Sequence, residues 1–328
     1  MWVAVSQRRR IATHIYARIG RVRRLLVRVP LSLFMFVCQA GRNMAEGILA
    51  VVIAVICICL VSAAWDSNRF VTITYEMKSD KITKPCRLVL LTDLHNKSFG
   101  TGNKRLLAAI DEIKPDGILA AGDMLTAIKG ADFGHALSLM ERLAARYRIY
   151  YGMGNHECRL GACPDSYPGM YEGYMSGLRR AGIEPLINET AYLPECNIAV
   201  CGAQIDRAYY RHFRRKPMET SYLPKLLGTP DREMFQLLIA HNPVYFDAYA
   251  KWGADLVVSG HVHGGIVRLP VLGGVLSPAM TLFPKYDGGM FTENKSTMIL
   301  SRGLSSHTPP VRIFNPGELI VIDLKPGK

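Results

Sequence analysis

The rhythm of apolar and polar positions changes twice along the chain, and each change predicts a different kind of structure. Residues 47–65 read GILAVVIAVICICLVSAAW, a run with no charge and no polar stripe. A helix needs about 20 such residues to cross the hydrocarbon of a bilayer, whereas a core helix would show a polar face. The pattern therefore predicts one transmembrane helix over 47–65. Upstream, Ile11, Ile15, Ile19, Val22, Leu26 and Val29 recur at spacings of three and four. Arg9, Arg10, Arg21, Arg24 and Arg28 fall mostly opposite, with Arg18 intruding. That basic amphipathic face suits an anionic membrane surface; a solvated tail, or a start at Met44, is the bland alternative.

After a polar lead-in over 66–85, with an edge strand at 70–75, short apolar runs alternate with helical spacing. Strands are predicted over 87–92, 117–121 and 149–153, and helices over 103–113, 133–145 and 167–181. Strand and helix in alternation imply βαβ units and a parallel sheet covered on both faces. Beyond Gly182 the rhythm becomes strand-rich. A hairpin is predicted around 194–197, between strands at 192–193 and 198–202. Further strands follow at 235–240, 256–259, 266–269, 296–301 and 319–324, with one helix near 243–252. No Gly, Ser or Pro linker divides the halves, so 66–328 reads as one α/β domain of two packed sheets. A basic segment, 1–46, and the apolar helix precede it. Residues 205–228 form a basic, aromatic insertion carrying Arg207, Arg211, Arg214, Arg215 and Lys216. It is either a solvated loop or a lid over an anionic substrate.

Charge decides the orientation expected for the helix. Of the net +13 over 328 residues, residues 1–65 hold nine Arg and one acid, Glu46, leaving +5 for the remainder. The positive-inside rule then keeps the N-terminus in the cytoplasm and sends the domain across the membrane. Residues 61–64, Val-Ser-Ala-Ala, suit a signal peptidase, which is the competing reading; the length of the apolar run favours an uncleaved anchor. Arg8-Arg9-Arg10 lies too far upstream for a twin-arginine signal. With 49% apolar and 20% charged residues, disorder is excluded. The domain is only mildly basic and carries no nucleic-acid-binding signature. Cys158 with Cys163, and Cys196 with Cys201, are close pairs without a CxxC motif, so disulfides and free buried thiols both stay open.

The candidate chemistry sits where the predicted strands end. Asp93 and His95, Asp123, Asn155 with His156 and Glu157, His241, and His261 with His263 each follow a strand. Ligands bind at the carboxyl ends of strands in open α/β sheets. Hard oxygen and borderline nitrogen donors suit manganese, iron or zinc. If the strand period continues, Asp93 and His95 share a face, as do His261 and His263. Seven donors exceed one tetrahedral site, so two ions sharing a carboxylate is the natural count.

The series D-x-H, G-D, G-N-H-E, H, G-H-x-H resembles the calcineurin-like metallophosphoesterase superfamily. DLHNKSFG, GHVHGG, LFPKYDGGMF and the tail over 301–324 resemble its membrane-anchored bacterial branch. The resemblance covers about residues 70–325 and implies a four-layer α/β/β/α sandwich. It implies that Asp93, His95 and His263 hold one metal, that Asn155, His241 and His261 hold the second, and that Asp123 bridges them. His156 would lie beside the scissile phosphate and donate to it or to the leaving group, with Glu157 orienting a neighbour. One departure is Ile266, where many members of the branch carry Gln. The expected activity is phosphodiester or pyrophosphate hydrolysis on a lipid-linked or envelope phosphoester, such as a UDP-2,3-diacylglucosamine-type lipid. A nucleotide-linked precursor would be cytoplasmic, which conflicts with the topology expected above. The alternative is a non-catalytic scaffold of the same fold.

Overall fold

The computed structural model describes residues 44–210, 216–269, 272–276, 282–306 and 310–327. The basic amphipathic segment and Arg211, Arg214 and Arg215 of the insertion lie outside the described residues. The described residues fall into two units that divide after Val61. Helix α1 (Met44–Asp66) is apolar on all sides. It is long and apolar enough to be a membrane span or the hydrophobic segment of a signal sequence. Its last turn belongs to the second unit. There the Ser62 hydroxyl accepts the Phe314 amide at 2.8 Å, and Asp66 accepts Arg69 at 2.7 Å.

The second unit opens with β1 (Phe70–Ser79), β2 (Cys86–Leu91), α2 (Lys104–Ile113), β3 (Gly117–Ala121), α3 (Gly134–Ala144), β4 (Ile149–Gly152), α4 (Asn155–Ala162), α5 (Met170–Arg180) and β5 (Pro185–Leu186). It continues through β6 (Thr190–Leu193), β7 (Ile198–Gly202), α6 (Tyr222–Leu227), β8 (Phe235–Ile239), α7 (Phe246–Trp252) and β9 (Leu256–Ser259). It closes with β10 (Val267–Leu269), β11 (Gly273–Leu276), β12 (Gly289–Glu293), β13 (Ser296–Leu300) and β14 (Gly317–Pro326). One six-stranded sheet runs β1-β14-β2-β3-β4-β5 and the other β12-β13-β9-β8-β7-β6.

Residue type explains the placements. Strand β3, Gly-Ile-Leu-Ala-Ala, is buried at every position, as a central parallel strand covered on both faces must be. β1 alternates between half-buried and exposed along most of its length, which suits the edge it occupies. Helix α2 buries Leu106, Leu107 and Ile110 along one stripe and stops just before Pro115. Three apolar cores result. One joins the first sheet to α2, α3 and α5 through Val89, Ile118, Leu139 and Leu178. The second joins the two sheets through Leu88, Leu90, Val200, Leu237 and Ile320. The third joins the second sheet to α6 and α7 through Leu238, Val257, Leu223 and Trp252.

The expected parallel sheet is in fact mixed. β14 inserts between β1 and β2, parallel to the first and antiparallel to the second. The sequence pattern also passed over α4, an eight-residue helix whose polar start reads as a loop. It passed over the short strands β5, β11 and β12 and the helix α6 inside the insertion.

Candidate metal centre

The polar clusters converge because the loops after β2, β3, β4, β8 and β9 all leave the same ends of their sheets. Asp93 (φ 52°), His95 (φ 49°), Asp123 (φ 53°), His261 (φ 71°) and His263 (φ 52°) all hold left-handed backbone conformations. Such conformations cost free energy for side chains other than Gly and Asn, and they persist where surrounding bonds over-determine them. Here the main chain does so. The amides of Asp93, His95 and Asn96 donate to the carbonyls of Gly122, Asp123 and Met124 at 3.0, 3.1 and 3.0 Å. The strand-period argument for pairing Asp93 with His95 is therefore corrected: both residues lie past the end of β2, and turns aim them.

Each of the two buried carboxylates rests against a glycine. A Cβ on Gly154 would lie 2.2 Å from Asp123 Oδ1, and one on Gly260 would lie 2.2 Å from Asp93 Oδ2. The His156 amide donates to Asp123 Oδ1 at 2.8 Å, and the His261 amide donates to both Asp93 oxygens at 3.1 Å.

The imidazoles surround these carboxylates. Asp123 Oδ2 lies 3.1 Å from His241 Nε2, 3.9 Å from His156 Nε2 and 4.0 Å from His95 Nε2. Asp93 Oδ1 lies 3.8 Å from His241 Nε2, 3.8 Å from His263 Nδ1 and 3.9 Å from His95 Nε2. Three sets of donors gather within 4.8 Å: Asp93, His95 and His263; Asp123, His241 and His261; and His95, Asp123 and His156. Asn155 Oδ1 is buried and accepts no hydrogen bond among the described residues. A buried oxygen without a donor is what a cation's ligand looks like when the ion is left out of account.

Neighbouring groups orient the rings. The Nδ1 of His241 lies 2.7 Å from the Ala121 carbonyl, and that of His263 lies 3.1 Å from the Ser305 carbonyl. The first contact fixes the protonated nitrogen of His241 away from the carboxylates, as a metal-ligating histidine requires, whereas the Nδ1 that His263 turns to Ser305 is also the nitrogen 3.8 Å from Asp93. His95 Nδ1 meets Thr126 Oγ1 at 3.2 Å. His156 differs, because its Nδ1 accepts the Ala127 amide at 2.9 Å. Its neutral ring therefore carries the proton on Nε2, on the Asp123 side.

Electrostatics separate the groups. Burial pushes Asp93 up to about 6, with His241 opposing and Asp123 assisting. Burial also raises Asp123, but His241, His156 and His95 overcome it and hold the group well below the usual carboxylate range. Burial would lower His241, yet Asp123 and Asp93 hold it up at about 10. Burial lowers His156, against the pull of Asp123.

Glu157 supports the loop that carries Asp123. Its carboxylate accepts the amides of Asp123 at 2.9 Å, Met124 at 2.8 Å and Gly154 at 3.1 Å, and the Tyr151 hydroxyl at 2.9 Å. Burial, then Asp123, pushes Glu157 up to about 7.

Sequence reasoning missed Tyr210. It lies in the insertion, with its ring centroid 5.2 Å from that of His261 and 6.4 Å from that of His241. Its neighbour Tyr209 is anchored from β8's loop by Asn242 Nδ2, which donates to the Tyr209 carbonyl at 3.1 Å. This part of the insertion is thus packed at the centre and is not a solvated loop. The run of aromatics among arginines was its only signal.

Comparison with known proteins points the same way. The family described as calcineurin-like phosphoesterase matches residues 86–265. An uncharacterized metallophosphoesterase of Campylobacter jejuni is 24% identical over 257 residues, covering 77% of this chain. The match spans only 63% of that relative's length. Phosphodiesterase YaeI of Escherichia coli is 24% identical over 224 residues, 68% of this chain and 76% of its own. Among solved structures, sulfate thiohydrolase SoxB of Thermus thermophilus overlaps 73% of this chain and 56% of its own, at 14% identity and a TM-score of 0.38. That likeness is too slight to carry an argument.

Proposed function

The chain belongs to the calcineurin-like phosphoesterase family, and from that premise we propose that it is a membrane-anchored, binuclear-metal phosphohydrolase. Asp93, His95 and His263 would hold one divalent ion, and Asn155, His241 and His261 the other, with Asp123 between them. The observation that carries this reading is Asp123 itself. It is fully buried and ringed by three imidazoles within 4.0 Å, and it accepts the amide of His156, whose neighbour Asn155 has a buried oxygen with no hydrogen-bond partner among the described residues. Manganese, iron and zinc all fit this donor set. The three apolar cores support a four-layer α/β/β/α stack, with the site at one edge of the inner sheets.

Two ions in such a site supply Lewis acidity at the phosphoryl oxygens and make water acidic enough to be a nucleophile near neutral pH. The protein's own part begins with His156. Because Ala127 donates to Nδ1, Nε2–H is a fixed donor that offsets charge building on a phosphoryl oxygen. The same contact makes His156 a poor choice for protonating the leaving group, since an imidazolium would set two donors, Nδ1–H and the Ala127 amide, against each other. That narrows the role expected from sequence. Glu157 holds the Asp123 and Gly154 loops together and so positions Asp123 and His156. Tyr210 covers the His241 and His261 face.

The anchor and the basic insertion favour a phosphoester at the membrane surface, lipid-linked or part of the cell envelope. The arginine-rich N-terminus favours a cytoplasmic start and an extracytoplasmic domain. The test is hydrolysis of bis(p-nitrophenyl) phosphate and of p-nitrophenyl phosphate by manganese-loaded full-length protein in detergent, with metal-stripped protein as control. Turnover that depends on metal is expected. Metal bound at two equivalents without turnover of any phosphoester would favour a scaffold instead.

A further inference from the structure

Folding leaves one group of large apolar side chains uncovered in the second unit. Leu272, Leu282 and Phe283 are 64, 66 and 61% exposed, and Leu269 and Phe314 are exposed beside them. All five belong to one small ribbon. Strand β10 pairs with β11. On the other side of β10, the Arg268 amide donates to the Ile313 carbonyl and the Ile313 amide to the Ile266 carbonyl, each at 3.0 Å. The Phe283 amide donates to the Val275 carbonyl of β11 at 3.0 Å. The ribbon thus spends main-chain groups on itself while its apolar side chains face outward. Residues 266–286 include no acid; their bases are Arg268, paired with Asp287 at 2.9 Å, and the exposed Lys285.

The ribbon is tied to the point where the chain leaves the apolar helix. The Phe314 amide donates to the Ser62 hydroxyl at 2.8 Å. Ser62 lies three residues before Trp65, the end of the uncharged run, which is roughly 4.5 Å along a helix axis. Trp65 is itself 60% exposed, and Trp is favoured where hydrocarbon meets headgroups. With the helix across a bilayer, residues 313–314 are held at the depth of its last turn. Apolar side chains on an internally bonded main chain are what that depth tolerates. The metal centre opens close by: the cleft that reaches His95 is rimmed by Ser67 and by Ile128, which is 58% exposed.

We propose that the β10–β11 ribbon, with Phe314 and Trp65, is a second membrane contact, lying in the interface of the bilayer that holds the anchor. The inference rests on the anchored reading of α1 and deepens it. A tether alone fixes distance, whereas two contacts fix orientation and turn the mouth of the metal centre toward the headgroups. Lipid is the occupant, and not a second copy of the chain, because the Ser62 bond already sets Phe314 at the bilayer and Lys285 suits anionic headgroups.

The test is site-specific photocrosslinking of the full-length protein in vesicles of phosphatidylethanolamine and phosphatidylglycerol. A benzoylphenylalanine replaces Phe283, Leu272, Tyr192 or Ile53, one at a time. Ile53 lies within the apolar helix, and Tyr192 is 52% exposed on β6, at the far edge of the second sheet. Phe283 and Leu272 are exposed, so neither label disturbs the fold, which an unchanged unfolding midpoint checks. Lipid adducts at both should come within about three-fold of those at Ile53, and exceed those at Tyr192 about ten-fold. Lipid adducts at Ile53 but at neither ribbon position overturn the second contact and leave the anchor standing. Adducts between two chains at the ribbon overturn it in favour of self-association. No lipid adducts at Ile53 or the ribbon remove the anchored reading and the inference together.

Discussion

The Asp93 and Asp123 poles of the centre look alike in composition and differ in how they are held. Both carboxylates are buried, both rest on a glycine, and both face His241 and His95. The Asp93 loop is fixed by main-chain bonds to Gly122, Asp123 and Met124, and its carbonyls accept the amides of Leu304 and Ser305. The Asp123 loop shares those three main-chain bonds, but where the Asp93 loop has the further amides of Leu304 and Ser305 it has one side chain, Glu157. Main-chain support survives most substitutions, whereas a side-chain clamp is lost with one. The poles should therefore respond unequally to mutation, with the Asp123 side the more fragile.

The largest effect expected is that of Asp123→Ala. As the proposed bridge it serves both ions, so both should be lost and turnover should fall by roughly 10³-fold or more. Asp93→Ala should lose one equivalent and keep the ion of His241, His261 and Asn155. Metal content by mass spectrometry after gel filtration separates the two, and equal losses would erase the distinction. Next in size, His156→Ala should lower kcat by about 10²–10³-fold with metal content intact, since it removes a donor and not a ligand. Glu157→Gln should weaken metal binding about 10–100-fold, the usual cost of a lost supporting group. Thr92→Ala, which removes the matching 2.9 Å hydroxyl contact to Asp93, should do much less. If Thr92→Ala matched Glu157→Gln, the difference in support would be refuted.

Proton competition tests the same centre without any substitution. Metal-stripped protein holds a proton on His241, raised to about 10, and takes one on Asp93 near 6, while Asp123 stays ionised. A bound ion must displace those protons. Affinity should thus fall by roughly ten-fold per pH unit per proton as pH drops from 7 to 5. Titrations in buffers of different ionisation enthalpy would count the protons. In the Asp93→Asn variant the additional proton taken up near pH 6 should disappear.

Much of this centre was legible in the sequence because metal chemistry restricts residue type and strand ends restrict position. The seven donors were named from those two constraints and the resemblance, and the structure brings six of them into its donor sets, with Asn155 in the adjoining turn. The geometry was less legible. Asp93 and His95 were paired by strand periodicity, whereas both lie in left-handed turns, which depend on main-chain bonds to distant loops. Helix α4 escaped because its first turn spends Asn155, His156 and Glu157 on the site, leaving little amphipathic signal. Tyr210 escaped because its contacts with His241 and His261 join segments more than 30 residues apart. The placement of β14 had no local signal either, since an apolar strand does not announce which sheet will accept it.

That last strand has a consequence in time. The first sheet has residues 70–79 on one side of β14 and residues 86–91 on the other. Until residues 317–326 leave the ribosome, a chain whose apolar helix is already made holds a split sheet with two unpaired edges. Pairing over such sequence separations is slow, and open edges invite association with other chains. The domain therefore completes its fold all at once and late, so a chain stalled before residue 317 should be a client for chaperones and proteases, not a partly working enzyme.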